Sequence, residues 1–195
     1  MEREKKGAIV TAQEEFMSLE AETQEFLDYL HANESVRSLI KAAPNKTLLY
    51  SGGFFQSIFN ELEMEKRKNA NLARLQTLSD VLELVPAPPR CADRTLKRYV
   101  EGLLTRVPER PDGFAIWKAL STIFAGNADG RVYFSVGSGI SREDKIFATG
   151  EIEALLNNPR LADETRELVY YYHDQIQKGV LDINVGLTPA PPDDS

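Results

Sequence analysis

Apolar residues recur at every third or fourth position over much of the chain, so the pattern reads first as helical. From Thr11 to about Asn33, Phe16, Leu19, Phe26, Leu27 and Leu30 mark one face, with Glu and Gln between them. A short helix over Glu34 to Lys41 is closed by Pro44, and Thr47-Leu48-Leu49-Tyr50 has strand character until Ser51-Gly52-Gly53 breaks it. Helices are predicted over Phe54 to Lys68 and over about Ala70 to Leu84, where Leu72, Leu75, Leu78, Leu82 and Val85 share a face. Pro86 to Pro89 is a stiff extended connector, because proline cannot continue a helix. Asp93 to Leu104 is helical, Pro108 to Gly113 forms a loop with Asp112 as the helix N-cap, and Phe114 to about Ala128 is helical again. After the Asp129-Gly130 turn, Val132, Phe134 and Val136 alternate as a strand over Arg131 to Val136, and Gly137-Ser138-Gly139 opens a loop. Lys145 to Glu151 reads as another strand, Glu153 to Asn157 as a helical start and Leu161 to Lys178 as a long helix ended by Gly179. Leu181 to Val185 is a final short strand, followed by a Pro- and Asp-rich tail.

The predicted class is α/β (α+β). A helical N-terminal lobe over 1–111 packs on an α/β lobe over 112–187, with a disordered tail over 188–195. The sheet is expected to be small, mainly parallel and flanked by helices, and a ligand site is expected in the cleft between the lobes. The length of 195 residues fits one such unit, and 42 % hydrophobic with 27 % charged residues is an ordinary globular balance. A formal net charge of -7 argues against nucleic acid as the main partner, because phosphate binding needs a basic face. It leaves room for a small anionic ligand held at a local positive site. The single cysteine, Cys91, excludes an internal disulfide framework and a Cys-rich metal site. No window approaches the length of a membrane span and no secretory signal is visible, so the expected location is cytoplasmic.

The chemistry has few carriers. Zinc spacings, a Walker loop and a Gly-x-Gly-x-x-Gly fingerprint are all absent from the sequence. His31 and His173 fall in separate helices and read as structural, which leaves a His-based triad little support. Three polar elements stand out. Tyr50-Ser51-Gly52-Gly53 leads from a strand into a helix start, where exposed N–H groups and the helix dipole favour an anion. Its ordinary reading is a tight turn with Ser51 as N-cap. Trp117 and Ser121 lie at i and i+4 on one helical face. Their ordinary reading is a core indole and a serine bonded to its own helix. Phe147-Ala148-Thr149-Gly150-Glu151 ends at a carboxylate, ordinarily an exposed residue at a helix start.

Taken together and in this order, the three resemble a known family. Trp117-Lys118-Ala119-Leu120-Ser121, Phe124-Ala125 and Gly130-Arg131-Val132 are similar to the Trp-Lys-x-x-Ser-x-x-Phe-Ala segment of the animal ADP-ribosyl cyclase / cyclic ADP-ribose hydrolase family. Phe147-x-x-x-Glu151 resembles its glutamate segment, Leu48-Leu49-Tyr50-Ser51 its Leu-Leu-Trp-Ser segment, and Thr77-Leu78-Ser79-Asp80 its Thr-Leu-Glu-Asp segment. The resemblance covers about Thr47 to Leu155, and the Trp117 to Ala125 stretch is its most specific part.

The resemblance implies cleavage of the nicotinamide–ribose bond of NAD or NADP as substrate, with no cofactor and no metal. Glu151 would be the catalytic carboxylate, Trp117 an aromatic wall beside the nicotinamide ribose, and Ser121 a group near the anomeric carbon. Tyr50 would stand where the family has a tryptophan wall. Ser51 and the amide of Phe147 would contact the pyrophosphate, with Gly52 and Gly53 lending N–H groups where the family has an arginine after its serine. Ser79, with Asp80 beside it, falls where the family has the acidic residue that touches the nicotinamide amide, which leaves the balance of hydrolysis and cyclisation open. Arg142 and Lys145 are candidates for a 2′-phosphate. A free-standing form without disulfides looks like an NAD-depleting effector or toxin domain, for which an immunity protein would be the partner. Two alternatives stand beside it: a catalytically inactive nucleotide-binding module of the same fold, and a helical immunity or adaptor protein.

Overall fold

Two short strands from distant parts of the chain organise the structure, a computed structural model that describes residues 20–51, 73–91, 93–105, 111–136, 146–179 and 185–188. Strand β1 (Thr47–Ser51) runs parallel to β2 (Val132–Val136), with Thr47 opposite Val132 and Ser51 opposite Val136. Strand β3 (Val185–Thr188) pairs antiparallel with the other edge of β2, giving the order β1-β2-β3. A parallel pair needs a long crossover, and here it carries three of the described helices. Helix α1 covers 20–32 and α2 Glu34–Leu39. Helices α3 (Leu78–Leu82), α4 (Leu96–Leu104) and α5 (Pro111–Gly126) lie between β1 and β2. After β2 come a π-helical turn at Phe147–Glu151, α6 (Ile152–Leu156) and α7 (Asp163–Lys178). The class is mixed helix and sheet, as the pattern predicts.

Strand alternation separates two apolar groups. Leu49, Val132 and Phe134 join the main core, which runs without a break from Phe26 on α1 through Leu82, Leu120 and Phe124 to Tyr172 and Ile176 on α7. Leu48 and Tyr133 point the other way and pack with Leu75 and the half-buried Tyr50. The N-terminal ends of the parallel strands are tied by backbone bonds. Asn45 donates its N–H to Asp129, and Gly130 donates to Arg160 while accepting from Ala162. Gly130 has φ 72°, so the turn into β2 uses a left-handed residue that glycine adopts without a Cβ penalty.

Several sequence expectations change. The predicted strand over Lys145 to Glu151 is, where described, helical. Phe147, Gly150 and Glu151 are buried together with Ile152 and Leu155, a helical spacing with one residue too many for a uniform α-helix, which a π turn absorbs. The predicted helix over Ala70 to Leu84 is interrupted. Gln76 exchanges backbone bonds with the β1 end of the chain, donating to Lys46 and accepting from Leu48. Thr77 then starts α3 as the N-cap of a capping box with Asp80. Helix α5 already includes Pro111, so Asp112 is a first-turn residue and not its N-cap; proline suits that first turn because it has no N–H to satisfy. The last strand falls at Val185–Thr188 and is antiparallel, so the sheet is mixed, and Thr188 belongs to it and not to the tail. The predicted helix over Phe54 to Lys68, the loop at Gly137 to Gly139 and the tail beyond Thr188 lie outside the described residues.

Candidate functional site

Helix α5 carries the first half of the site, and its seat is fixed at its C-terminal end. Buried Asn158 donates to the carbonyls of Ala125 and Ala128 at 3.3 and 2.8 Å, satisfying groups that a helix end leaves open. Asn127 reaches the carbonyls of Arg37 and Ile40 at 2.7 and 3.2 Å, tying α5 to the end of α2. Ile116, Leu120 and Phe124 face the core and are fully buried. Beside that stripe, on the flank that meets the π turn, lie Phe114, Trp117 and Ser121 at helical spacings of three and four. Their burial rises along the helix: Phe114 is 38 % exposed, Trp117 is half-buried and Ser121 is 8 % exposed.

The π turn brings the second half. Phe147 anchors its start, fully buried and edge-on to Phe134 and Tyr172 at centroid distances of 6.1 and 5.9 Å. Gly150 lies against α5 so closely that a Cβ there would come within 2.6 Å of Thr122 Oγ1 and 3.4 Å of Lys118 Cγ. That approach carries Glu151 into the protein, where it is 5 % exposed and hydrogen-bonded to the Ser121 hydroxyl. The ordinary reading of Glu151 as an exposed residue at a helix start is thereby excluded.

The electrostatics are those of a carboxyl with no counter-charge among the described residues. Burial pushes Glu151 up from 4.5 to about 8, and the bond from Ser121 opposes this only in part. No ion pair among the described residues involves it. At neutral pH Glu151 is therefore a protonated carboxyl beside a hydroxyl, with Trp117 one helical turn from Ser121. Shifts of this size from desolvation collect at functional sites, as do π turns. The arrangement suits a group that ionises when a cation arrives, because the low-dielectric surroundings strengthen the attraction between them.

The structure thus brings Trp117, Ser121, Phe147 and Glu151 to one side of the sheet. It does not bring Tyr50 there. Tyr50 is on the opposite sheet face, packed with Leu48, Leu75 and Tyr133, because it shares the parity of Leu48. Ser51 is the last residue of β1, opposite Val136, so both parallel strands end at one edge; Gly52 and Gly53 lie outside the described residues. Ser79 and Asp80 are half-buried on α3, and the Asp80 carboxylate accepts the Thr77 N–H at 2.8 Å and its hydroxyl at 2.9 Å. Asp80 is thus engaged as a capping residue. Arg142 and Lys145 lie outside the described residues. His31 is exposed, His173 sits beside Gln177, and Cys91 is half-buried in a 3-10 turn. Among the described residues, no group of three or more His, Cys, Asp or Glu could hold a metal, and no helix is long and apolar enough to cross a membrane.

No protein-family model matches the chain. Comparisons with curated proteins and with solved structures also give no match. Sequence reasoning passed over Phe114, which sits three residues before Trp117 on the same flank; its signal was the extension of the Trp117–Ser121 spacing by one turn. It also passed over Asn158, a polar residue next to a proline, whose value as a clamp for α5 has no local sequence signature.

Proposed function

We propose that this chain is an NAD(P) glycohydrolase of the ADP-ribosyl cyclase type, acting at the edge where the helical lobe (1–111) meets the α/β lobe (112–187). One observation carries the reading: Glu151 is buried with no counter-charge among the described residues, bonded to Ser121, near the flank of α5 that also bears Trp117. A site of this kind matches a substrate that brings its own positive charge. The nicotinamide of oxidised NAD is a pyridinium and leaves as a neutral base, so no acid is needed at the leaving group, unlike ordinary glycosides that use two carboxyl groups.

The residues then have distinct tasks. The arriving cation, and the oxocarbenium-like ribose that follows, favour the carboxylate form of Glu151, whose proton passes to solvent. Hydrogen bonds from the ribose hydroxyls to that carboxylate strengthen as charge develops on the sugar, which stabilises the transition state more than the ground state. Ser121 holds the carboxylate and lies where it can meet the anomeric carbon. Trp117 offers an aromatic face to the ring and excludes water. Water then attacks to give ADP-ribose, or the adenine of the same molecule attacks to give a cyclic product. The biological role that accompanies this chemistry is an NAD-depleting effector or toxin domain working in the cytoplasm of a target cell, with an immunity protein as partner.

A second reading is a nucleotide-binding module without turnover. It is favoured by Tyr50, which packs away from Glu151 and so removes the aromatic wall that the resemblance assigns to it. The deciding experiment is NAD and NADP consumption by the purified protein, with Glu151→Gln as control and products resolved by chromatography. Release of nicotinamide by the wild type, lost in a folded variant, supports the glycohydrolase. Nucleotide binding by both proteins without turnover supports the module, and neither binding nor turnover overturns both.

A further inference from the structure

Helix α7 buries one side, through Thr165, Val169, Tyr172 and Ile176. At about 100° per residue, the opposite side carries Asp163, Glu164, Glu167, Tyr170, Tyr171 and Asp174, all of them exposed. Tyr170 is 57 % exposed and Tyr171 53 %. Tyrosine is a weaker helix former than the glutamate or lysine that ordinarily fills such positions, and with more than half of each residue in water, burial repays little of that loss. No hydrogen bond, ion pair or ring contact engages Tyr170 among the described residues. Tyr171 lies against the ring of buried Tyr172 at a centroid distance of 5.8 Å, which restrains it. Two neighbouring aromatic rings on an outward helix face are the composition of a protein interface and not of an ordinary solvated surface.

The charge around the rings has mainly one sign. Glu167 lies one turn before both tyrosines and Asp174 one turn after both. Lys178 pairs with Asp174 at 2.6 Å and Arg131 with Glu164, whereas Asp163 and Glu167 have no ion pair among the described residues. The chain as a whole carries a formal charge of -7. Nucleic acid and an anionic membrane are repelled by such a face, and a second copy docked about a two-fold axis brings the same carboxylates together. A cationic protein surface is drawn in, and tyrosine faces attract guanidinium groups directly.

We propose that the outer face of α7 is a docking surface for a basic protein partner, whose arginine side chains lie on Tyr170 and Tyr171 and pair with Glu167. The surface is independent of the chemistry assigned to Glu151.

The test measures binding of a fluorescein-labelled oligoarginine peptide to the full chain by fluorescence anisotropy. Tyr170→Ser combined with Tyr171→Ser weakens binding about tenfold, the sum of two exposed cation–π contacts. Glu167→Gln weakens it roughly threefold, and Glu101→Gln, which removes the same charge from an exposed position on α4, leaves it unchanged. Tyr172, which supports Tyr171, also packs edge-on to Phe147 at 5.9 Å, so losing Tyr171 can disturb the fold. Tyr170→Ser alone then carries the test, with a loss of about threefold, and Tyr170→Phe, which keeps the ring, restores binding. No binding by the wild type overturns the docking surface. So does binding that the tyrosine variants leave intact, or that Glu101→Gln weakens as much as Glu167→Gln, because either result is attraction to net charge alone. A dimer in sedimentation that Tyr170→Ser dissociates overturns it in favour of a second copy.

Discussion

Burying an acid that prefers to stay protonated makes stability depend on pH in a direction opposite to that of a salt-bridged carboxylate. Glu151 titrates near 4.5 in an unfolded chain and near 8 in the fold. The folded state therefore binds the proton more tightly. Its advantage is fully present below about pH 4.5 and is lost as pH rises through 8. Between those values stability falls by about 1.4 kcal/mol per pH unit, and by ~5 kcal/mol in all. That is a large share of the roughly 5–15 kcal/mol that keeps a domain folded. From pH 5 to pH 7.5 the loss is roughly 3 kcal/mol, which for a chain of this size lowers Tm by about 6–12 °C. Glu151→Gln places a neutral amide, nearly isosteric with the protonated acid, in the same enclosure. The variant should match the wild type near pH 5 and melt higher than it at pH 7.5. Other groups titrate too, among them Glu164, which Arg131 holds below its ordinary value, but they are common to both proteins and cancel in the difference. Thermal denaturation of the pair across pH 4.5–8.5 measures it. Parallel curves would refute the reasoning, because they would mean that Glu151 is ionised at neutral pH and not enclosed as described.

Three further outcomes follow from the same geometry. In NAD turnover, Glu151→Gln should lose about 10²–10³ in rate, and wild-type kcat/KM should rise with pH toward a plateau above about 8, since the free protein must give up the Glu151 proton to act. Ser121→Ala removes the one hydrogen bond that lowers Glu151, so that rise should move to higher pH, read from the same profile. Gly150→Ala drives a methyl to 2.6 Å from Thr122 Oγ1 and should cost roughly 1–3 kcal/mol in denaturant unfolding; Thr122→Ala in the same background should recover part of it, and no recovery would place the strain elsewhere.

Much of the fold could be read along the chain, and the failures have a common cause. The strand at Val132–Val136, the break at Gly130 and the αL glycine ending α7 all follow from local preference, and the structure has them where the pattern puts them. The π turn did not, because Phe147-Ala148-Thr149-Gly150-Glu151 is poor in helix formers. It is held by Phe147 in its aromatic cluster and by Gly150 against α5, both contacts with segments far away in sequence. The break at Gln76 is likewise imposed by a bridge to Thr47 and not by any local breaker. At the site, the i, i+4 relation of Trp117 and Ser121 was legible because a helix guarantees it. The opposite facing of Tyr50 was legible in principle as well, since strand parity with Leu48 sets it, but only once it was known which face of β1 meets the main core.

Glu151 is the point where local economy and function pull apart. A glutamine at that position would fill the space next to Ser121 and keep its hydrogen bond without the loss of stability that the acid incurs at neutral pH. A purely structural account therefore leaves the carboxyl without a reason, since its proton could be replaced by an amide at no cost in packing. A functional account supplies the reason, because only an acid can acquire charge when a cation binds and surrender it when a neutral product remains. The two accounts separate on a single comparison. If Glu151→Gln is more stable than the wild type at pH 7.5 and also inactive toward NAD, the acid is retained against stability for the sake of chemistry. If the variant is more stable and nothing else changes, Glu151 is only a tolerated burial, and the site must be sought elsewhere on the molecule.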